Sequence, residues 1–475
     1  MTSSSLTPAL IDGEEVSGDA RSEVRSPYDG RVVGVVPTLT EADIDRAVAI
    51  ALERHRAGAP PAHERAAVLD RVAELLAARV DEFATSISEE SAKPITTATV
   101  EANRAIDTIR FSAAVARTLT GEVVPLDASP AGVGKLGFVR RVPVGVVGAI
   151  SPFNFPLNLV CHKIAPAVAA GCPVVLKPAS STPLTALRIA ALFHEAGLPP
   201  GWLNVVTCPG SVADRIVTHD DVAMITFTGS PDVGWGIRGR APRKRVSLEL
   251  GNNAPVIIER DGDWATAAAK VAVAGYSFAG QSCISVQRVF VHESIHEGFV
   301  AALGEKVSSL KVGDPSDPAT EVSALISSKE TQRVKEWVDE AAAEGAAVVV
   351  GGTIGDDGVL SPTLLDGVEP DMRVCNTEVF GPVVGVQPYS DFETALALAN
   401  DTRYGLQAGV FTASLASALR AGEVLDFGGV MVNEVPTWRA DQMPYGGVRD
   451  SGNTREGPAY TVQEMTERRL VVLQP

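Results

Sequence analysis

The sequence predicts an α/β protein of two domains, each built on a parallel sheet, and three observations carry that expectation. The chain has 475 residues, of which 45% are hydrophobic and 21% charged. That is the balance of an ordinary globular protein, at a length beyond the ~250–300 residues over which a single core keeps growing. From Val142 onward, short apolar strands punctuated by Gly and Pro alternate with helical stretches, the texture of βαβ units. A second alternating series follows, so the two domains are expected to meet near residue 250. Clefts between such domains commonly hold sites.

Taken in order, Thr40-Glu41-Ala42-Asp43 has the pattern of a helix cap ahead of an Ala-rich stretch running to Leu52. Residues 63–87 read as one long amphipathic helix with Val68, Val72, Leu75, Leu76 and Val80 on one side, and the first ~115 residues as mostly helical. The strands VPVGVVGAI, CPVVLKP, WLNVVT, MITFTGS and VSLELG come next, with helices expected at 182–196 and 211–219. The second series has helices near 264–279, 295–310, 328–344, 392–400 and 415–424, and strands at VQRVFV, AAVVVGG, QAGVFT and GGVMVN.

Asp and Glu number 58 against 41 Lys and Arg, a net charge of −17 that repels nucleic acid and anionic membrane surfaces. The longest apolar runs, such as 164–176, contain Pro166 and Pro173 and fall short of the ~20 residues a membrane span needs. The start MTSSSLTPALIDGEEV has no basic stretch leading into an apolar one, so the cytoplasm is the expected location. Cys161, Cys172, Cys208, Cys283 and Cys375 are odd in number and widely spaced, with no CxxC. Free thiols are therefore expected, rather than disulfides or a metal site.

Two GxGxxG matches, at 132–137 and 234–239, lack the preceding strand and following helix of a dinucleotide fingerprint. More informative is MITFTGS, an apolar strand ending at Gly229 and Ser230 before a helix, where free N–H groups suit a phosphate. Lys177 ends the strand VVL and precedes Pro178; it is either a solvated lysine or a ligand group at a strand's carboxyl end. Cys283 lies in the polar stretch GQSCIS after a helix, better placed to react than Cys172 or Cys208 beside apolar strands. Glu249 closes an apolar strand before Gly251; it is either the polar face of an edge strand or a base tuned by partial burial. Asn154 is bracketed by Pro152 and Pro156, either a turn residue or an amide donor held in place.

Taken together these segments resemble the NAD(P)-dependent aldehyde dehydrogenase superfamily, collinearly over nearly the whole chain: SPFNFP, VVLKPAS, FTGSPDVG, LELGNNAP, GQSCISVQR, NTEVFGPV and MPYGGVRDSG. The resemblance implies two Rossmann-like domains and a small β oligomerisation arm. Cofactor binding would map to 1–120 and 142–250, catalysis to 251–446, and the arm to 121–141 and 460–475, in a homodimer or homotetramer. It makes Cys283 the nucleophile toward an aldehyde, Asn154 the oxyanion donor, and Glu249 the base that releases a carboxylic acid. Ser151, Pro152, Phe153, Lys177, Ser180, Gly229, Ser230, Gly251, Glu378 and Phe380 would bind the cofactor, and Gln281 and Ser282 would line the pocket mouth.

Three departures matter. Many NAD-preferring members have Glu where this chain has Ser180, so NADP is expected at least as readily as NAD. Asn252 replaces a glycine common after the base, and Ser282 is small and neutral beside the nucleophile. GQSCISVQR, VNEVPTWR and MPYGGVRDSG look most like the branch acting on lactaldehyde, phosphonoacetaldehyde or glyceraldehyde 3-phosphate. Arg110, Arg288 and Arg439, together with His162, are then candidates for binding a hydroxylated or anionic aldehyde, Arg being matched to carboxylate and phosphonate geometry. Competing readings are a CoA-acylating dehydrogenase, which needs no water-activating base, and a nitrilase-type hydrolase with Cys, Glu and Lys, which leaves the cofactor segments unexplained. A catalytically dead relative would be expected to have lost Cys283, Glu249 or Asn154, and all three are present.

Overall fold

A computed structural model describes residues 6–475. One seven-stranded sheet has the order Arg245–Glu249, Val222–Thr228, Val146–Ile150, Val174–Lys177, Leu203–Val205, Ala9–Ile11 and Glu14–Val16. Its first five strands pair in parallel and the last two add an antiparallel edge. The strand Val174–Lys177 is buried throughout, as expected where helices cover both faces. On one face pack the helices Ala62–Ala77, Ile95–Thr118, Asn158–Ala170 and Leu184–Glu195, and on the other Glu41–Ala57, Gly210–Thr218 and Pro231–Arg240.

The second seven-stranded sheet has the order Ala347–Val350, Thr363–Asp366, Val383–Tyr389, Arg288–His292, Pro255–Ile258, Gln407–Phe411 and Gly429–Val432. Only Ala347–Val350 pairs antiparallel. Glu122–Val124, Leu136–Pro143 and Thr466–Leu473 form a separate antiparallel sheet. Among the described residues no helix is long and apolar enough to cross a membrane.

The Thr40 cap forms as a reciprocal box, with Thr40 accepting from the Asp43 N–H and the Asp43 carboxylate accepting from Thr40. The first ~115 residues are mostly helical, as expected, but four strands that the sequence reading left out precede that cap. Asp12 and Gly13, at φ of 59° and 76°, make the tight turn that pairs the first two, a signal the short Asp-Gly sequence carried. The single helix expected at 63–87 is two, Ala62–Ala77 and Val80–Ser91. Arg79 leaves helical geometry between them and forks onto Glu195 at 2.8 and 2.7 Å. In the second sheet three strands went unread, Pro255–Ile258, Thr363–Asp366 and Val383–Tyr389, each with proline at or just before its first residue. Proline is tolerated there because the first position need not donate to the ladder.

Candidate active site

The parallel strands of the first sheet end in register, with Ile150 beside both Phe227 and Lys177, and Thr228 beside Glu249. Strand order reverses between Val146–Ile150 and Val222–Thr228, and the crevice at such a reversal is where open α/β sheets take ligands. A cavity of about 530 Å³ opens there. All residues expected on the cofactor side line it, from Ser151, Pro152 and Phe153 through Lys177, Ser180, Gly229 and Ser230 to Gly251, Glu378 and Phe380. Cys283, Asn154 and Glu249 line the same cavity.

Cys283 is half-buried in the loop between the helix Trp264–Tyr276 and the strand Arg288–His292. The helix ends short of the expected residue 279 because Phe278, Ala279 and Gly280 take φ of 50°, 52° and 71°. Two non-glycine residues in the left-handed region are strained, and such strain persists where the surroundings impose it. A Cβ at Gly280 would run into the Gly381 carbonyl. Burial pushes the Cys283 thiol up to about 12, while the Tyr445 hydroxyl, 2.9 Å from Sγ, pulls it down. Ser282 is half-buried next to it. Gln281 is buried rather than at the pocket mouth, its Oε1 accepting from the Ile326 N–H at 2.8 Å.

Asn154 is buried, and its Nδ2 donates to the Gln281 carbonyl at 3.0 Å, which aims the amide at the loop bearing Cys283 and leaves a second N–H able to receive an oxyanion. Behind it Lys93, fully buried, donates to the Asn154 carbonyl at 2.6 Å and pairs with Glu101. The same ammonium lies 3.8 Å from the Phe155 ring centre and 4.5 Å from that of Phe278. The other Glu101 oxygen accepts from Leu157 N at 2.9 Å and Asn158 N at 3.1 Å, satisfying the open start of the helix Asn158–Ala170.

Glu249 is 5% exposed, and among the described residues neither of its carboxylate oxygens meets a donor. Burial and the Glu456 carboxylate hold its pKa well above the usual range, against the opposing pull of Arg439 and Lys163. Room for it comes from Gly446, where a Cβ would lie 2.9 Å from Oε1. A carboxylate with free lone pairs facing a cavity is equipped to take a proton from water.

The cofactor side has donors and shapes that fit NAD(P)+. Lys177 is 7% exposed, and among the described residues its ammonium meets only the Ser180 hydroxyl, at 3.5 Å, so it has donors to spare for ribose or phosphate oxygens. Glu378 accepts from the Asn252 N–H at 3.0 Å, and burial pushes it up to about 7. Gly251 lets that carboxylate come close, since a Cβ there would displace it. Ser230 caps the helix Pro231–Arg240 by position, but its hydroxyl makes no capping bond, which leaves the first N–H groups open to a pyrophosphate. Phe380, at φ 49°, stands edge-to-face with Phe153 at 5.8 Å.

From Cys283 a buried polar cluster leads away from the cavity. The Arg439 guanidinium lies 3.7 Å from the Tyr445 ring centre and donates to Glu456 at 2.6 Å. His162 sits 3.2 Å from Arg439 and 2.9 Å from Asp441. Asn158 and Arg104 also bond Asp441, the arginine with both Nε and Nη2, at 3.0 and 2.8 Å.

Two arginines expected on the substrate side lie elsewhere. Arg110 is 59% exposed and faces Asp107 at 3.9 Å; six residues along a helix turn it away from Arg104. Arg288 is buried and donates to the carbonyls of Asn253, Leu398 and Ala399, a clamp on the second domain rather than a substrate contact. Sequence reasoning missed Lys93, Glu101, Arg104, Asp441 and Tyr445. Glu101, Thr108 and Ser112 recur on an otherwise apolar, Ala-rich helix face, and buried polar residues on such a face are the signal that was available.

The Aldehyde dehydrogenase family model matches residues 15–471. Over 464 residues the chain is 44% identical to 3-sulfolactaldehyde dehydrogenase of Priestia megaterium, covering 98% of this chain and 97% of that one. Aldehyde dehydrogenase 21 from Physcomitrella patens, solved in complex with the reaction product succinate, superposes with a TM-score of 0.96 at 38% identity, covering 99% of both chains. Glyceraldehyde-3-phosphate dehydrogenase from Methanocaldococcus jannaschii, complexed with NADP, does so with a TM-score of 0.92 at 36% identity, covering 95% and 99%. The chain belongs to the aldehyde dehydrogenase family and is an NAD(P)-dependent enzyme of that class.

Proposed function

We propose that the protein oxidises a small anionic or hydroxylated aldehyde to its carboxylic acid, with Cys283, Asn154 and Glu249 carrying the chemistry. The single observation behind this reading is that those three side chains line one cavity with the residues fitted to a dinucleotide. The Cys283 thiolate adds to the aldehyde carbon, and the carbonyl electron pair moves to oxygen, where the free Asn154 N–H and the Cys283 backbone N–H receive it. Bound NAD(P)+ supplies the hydride acceptor. Loss of hydride from the former aldehyde carbon leaves a thioester on sulfur, and Glu249 takes a proton from the water that hydrolyses it. The unpartnered oxygens of Glu249 favour water over CoA as the acyl acceptor.

Lys177 and Glu378 would hold the two riboses, Ser230 the pyrophosphate and Phe380 the nicotinamide side. NADP is proposed as the cofactor, with NAD as the alternative, because Ser180 places no carboxylate beside Lys177 to repel a 2′-phosphate. The anionic-aldehyde reading is supported by the polar cluster next to Cys283 and by the anionic compounds named for two relatives, the aldehyde sulfolactaldehyde and the product succinate. Arg104 replaces Arg110 in it: among the described residues no protein group takes its Nη1. His162 and Arg439 remain in the proposed substrate wall.

The first sheet with its helices is assigned to cofactor binding and the second to catalysis. The three-stranded sheet is assigned to homo-oligomer contacts, since Val123, Leu470 and Val472 lie exposed on it. A cytoplasmic location completes the proposal. The experiment is an aldehyde panel run with NAD+ and NADP+ in parallel, with Cys283→Ala as control. Sulfolactaldehyde, succinate semialdehyde and similar anionic aldehydes should exceed propanal in kcat/KM, and turnover by the Cys283→Ala protein would overturn the reading.

A further inference from the structure

The C-terminal segment MPYGGVRDSG puts a phenol against the reactive sulfur: Tyr445 Oη stands 2.9 Å from Cys283 Sγ. Tyr445 is 3% exposed, and among the described residues the sulfur is its hydroxyl's only side-chain partner. Its backbone is held too, Tyr445 N donating to the Glu456 carbonyl at 2.9 Å in a short antiparallel bridge. The ring face carries the Arg439 guanidinium at 3.7 Å, which Glu456 anchors at 2.6 Å. A guanidinium over an aromatic face draws on the ring's electron density, which makes the phenol a stronger donor.

We propose that Tyr445, polarised by Arg439, is a catalytic residue of this enzyme: its hydroxyl donates a hydrogen bond to the Cys283 thiolate and holds the nucleophile ready before aldehyde arrives. The proposal rests on Cys283 being the nucleophile. The S–H proton leaves to water, the phenol keeps its own proton, and the sulfur lone pair is free to form the bond to carbon. The charged and titratable groups facing the sulfur are Tyr445, Arg439, Glu378 and Glu249. The two carboxylates oppose ionisation, as does burial, so Tyr445 and Arg439 are the groups among them that favour the thiolate. Asn154 bonds the Gln281 carbonyl and serves the carbonyl oxygen at a later stage, so the two donors divide the work between sulfur and oxyanion.

The test needs neither cofactor nor aldehyde. The rate of Cys283 carboxamidomethylation by iodoacetamide, in which an S–C bond forms and iodide leaves, follows the thiolate fraction. It is measured from pH 6 to 10 in the full-length protein and in Tyr445→Phe, with the labelled peptide identified by mass spectrometry. Charge-assisted hydrogen bonds are the strong ones, so Tyr445→Phe should alkylate about tenfold more slowly near neutral pH, with its profile displaced about one unit to alkaline pH. Fluorotyrosine at position 445, a more acidic phenol, should displace it the other way and shows that a folded protein responds to donor strength. An unchanged profile in both proteins overturns the role of Tyr445 while leaving Cys283 as nucleophile. Aldehyde oxidation that survives Cys283→Ala overturns the underlying reading instead.

Discussion

The Lys93 ammonium donates to the carbonyl of Asn154 at 2.6 Å, so a residue sixty-one positions upstream fixes the backbone of the proposed oxyanion donor. Between the rings of Phe155 and Phe278, it also joins the loop bearing Asn154 to the strained turn ahead of Cys283. Lys93→Met leaves Glu101 charged and unpaired in the interior, which costs about 3–5 kcal/mol. Denaturant unfolding should show that loss. In the folded fraction kcat should fall about a hundredfold with little change in cofactor KM, and Lys93→Arg should recover part of it.

Acidic solution should slow the final step. Glu249 works as a base only when ionised, and burial plus Glu456 raise its pKa well above 4.5. The ionised fraction, and with it thioester hydrolysis, therefore rises with pH at values above the ordinary carboxylate range and falls as pH drops through it. Glu456→Gln removes a like charge, so the limb should move to lower pH. A pre-steady-state pH profile of deacylation reads this directly, and a limb left in place would mean that Glu456 does not act on Glu249.

Ser180→Glu should turn the enzyme against NADP+. A carboxylate beside Lys177 and a 2′-phosphate would share a partly buried corner, where like charges repel more strongly than in water. The NADP+ KM should rise ten- to a hundredfold, with that for NAD+ level or lower. Equal change for both cofactors would place the 2′-position elsewhere.

Arg104 and Arg110 give a paired comparison on one helix. Arg104→Leu strips the cluster at Asp441, so kcat/KM for an anionic aldehyde should fall at least tenfold relative to propanal. Arg110→Leu, at an exposed position, should change neither ratio nor stability by more than about 0.5 kcal/mol.

Elements with strong local signals were legible in the chain. The Thr40 cap, the strands ending at Lys177, Thr228 and Glu249, and the loop bearing Cys283 all stand where Gly, Pro and apolar runs put them. Short strands beginning at proline were not, because their pairing partners rather than their own residues define them. The polar cluster was legible only in part. Arg439 and His162 were singled out, yet their partners Asp441 and Tyr445 come from a late loop, and nothing local ties these to a helix some three hundred residues earlier. Arg110 was singled out although it lies exposed beside Asp107, because an arginine's presence on a helix does not reveal its face without the helix's register.

The central claim, that aldehyde is carried on Cys283 and released by water through Glu249, is tested most directly by trapping the carried species. Glu249→Gln mixed with aldehyde and NAD(P)+ should give one equivalent of reduced cofactor per site and then stall, with peptide mass spectrometry finding the acyl group on the peptide containing Cys283. Full steady turnover by that variant, or an acyl group found anywhere but Cys283, would contradict the account.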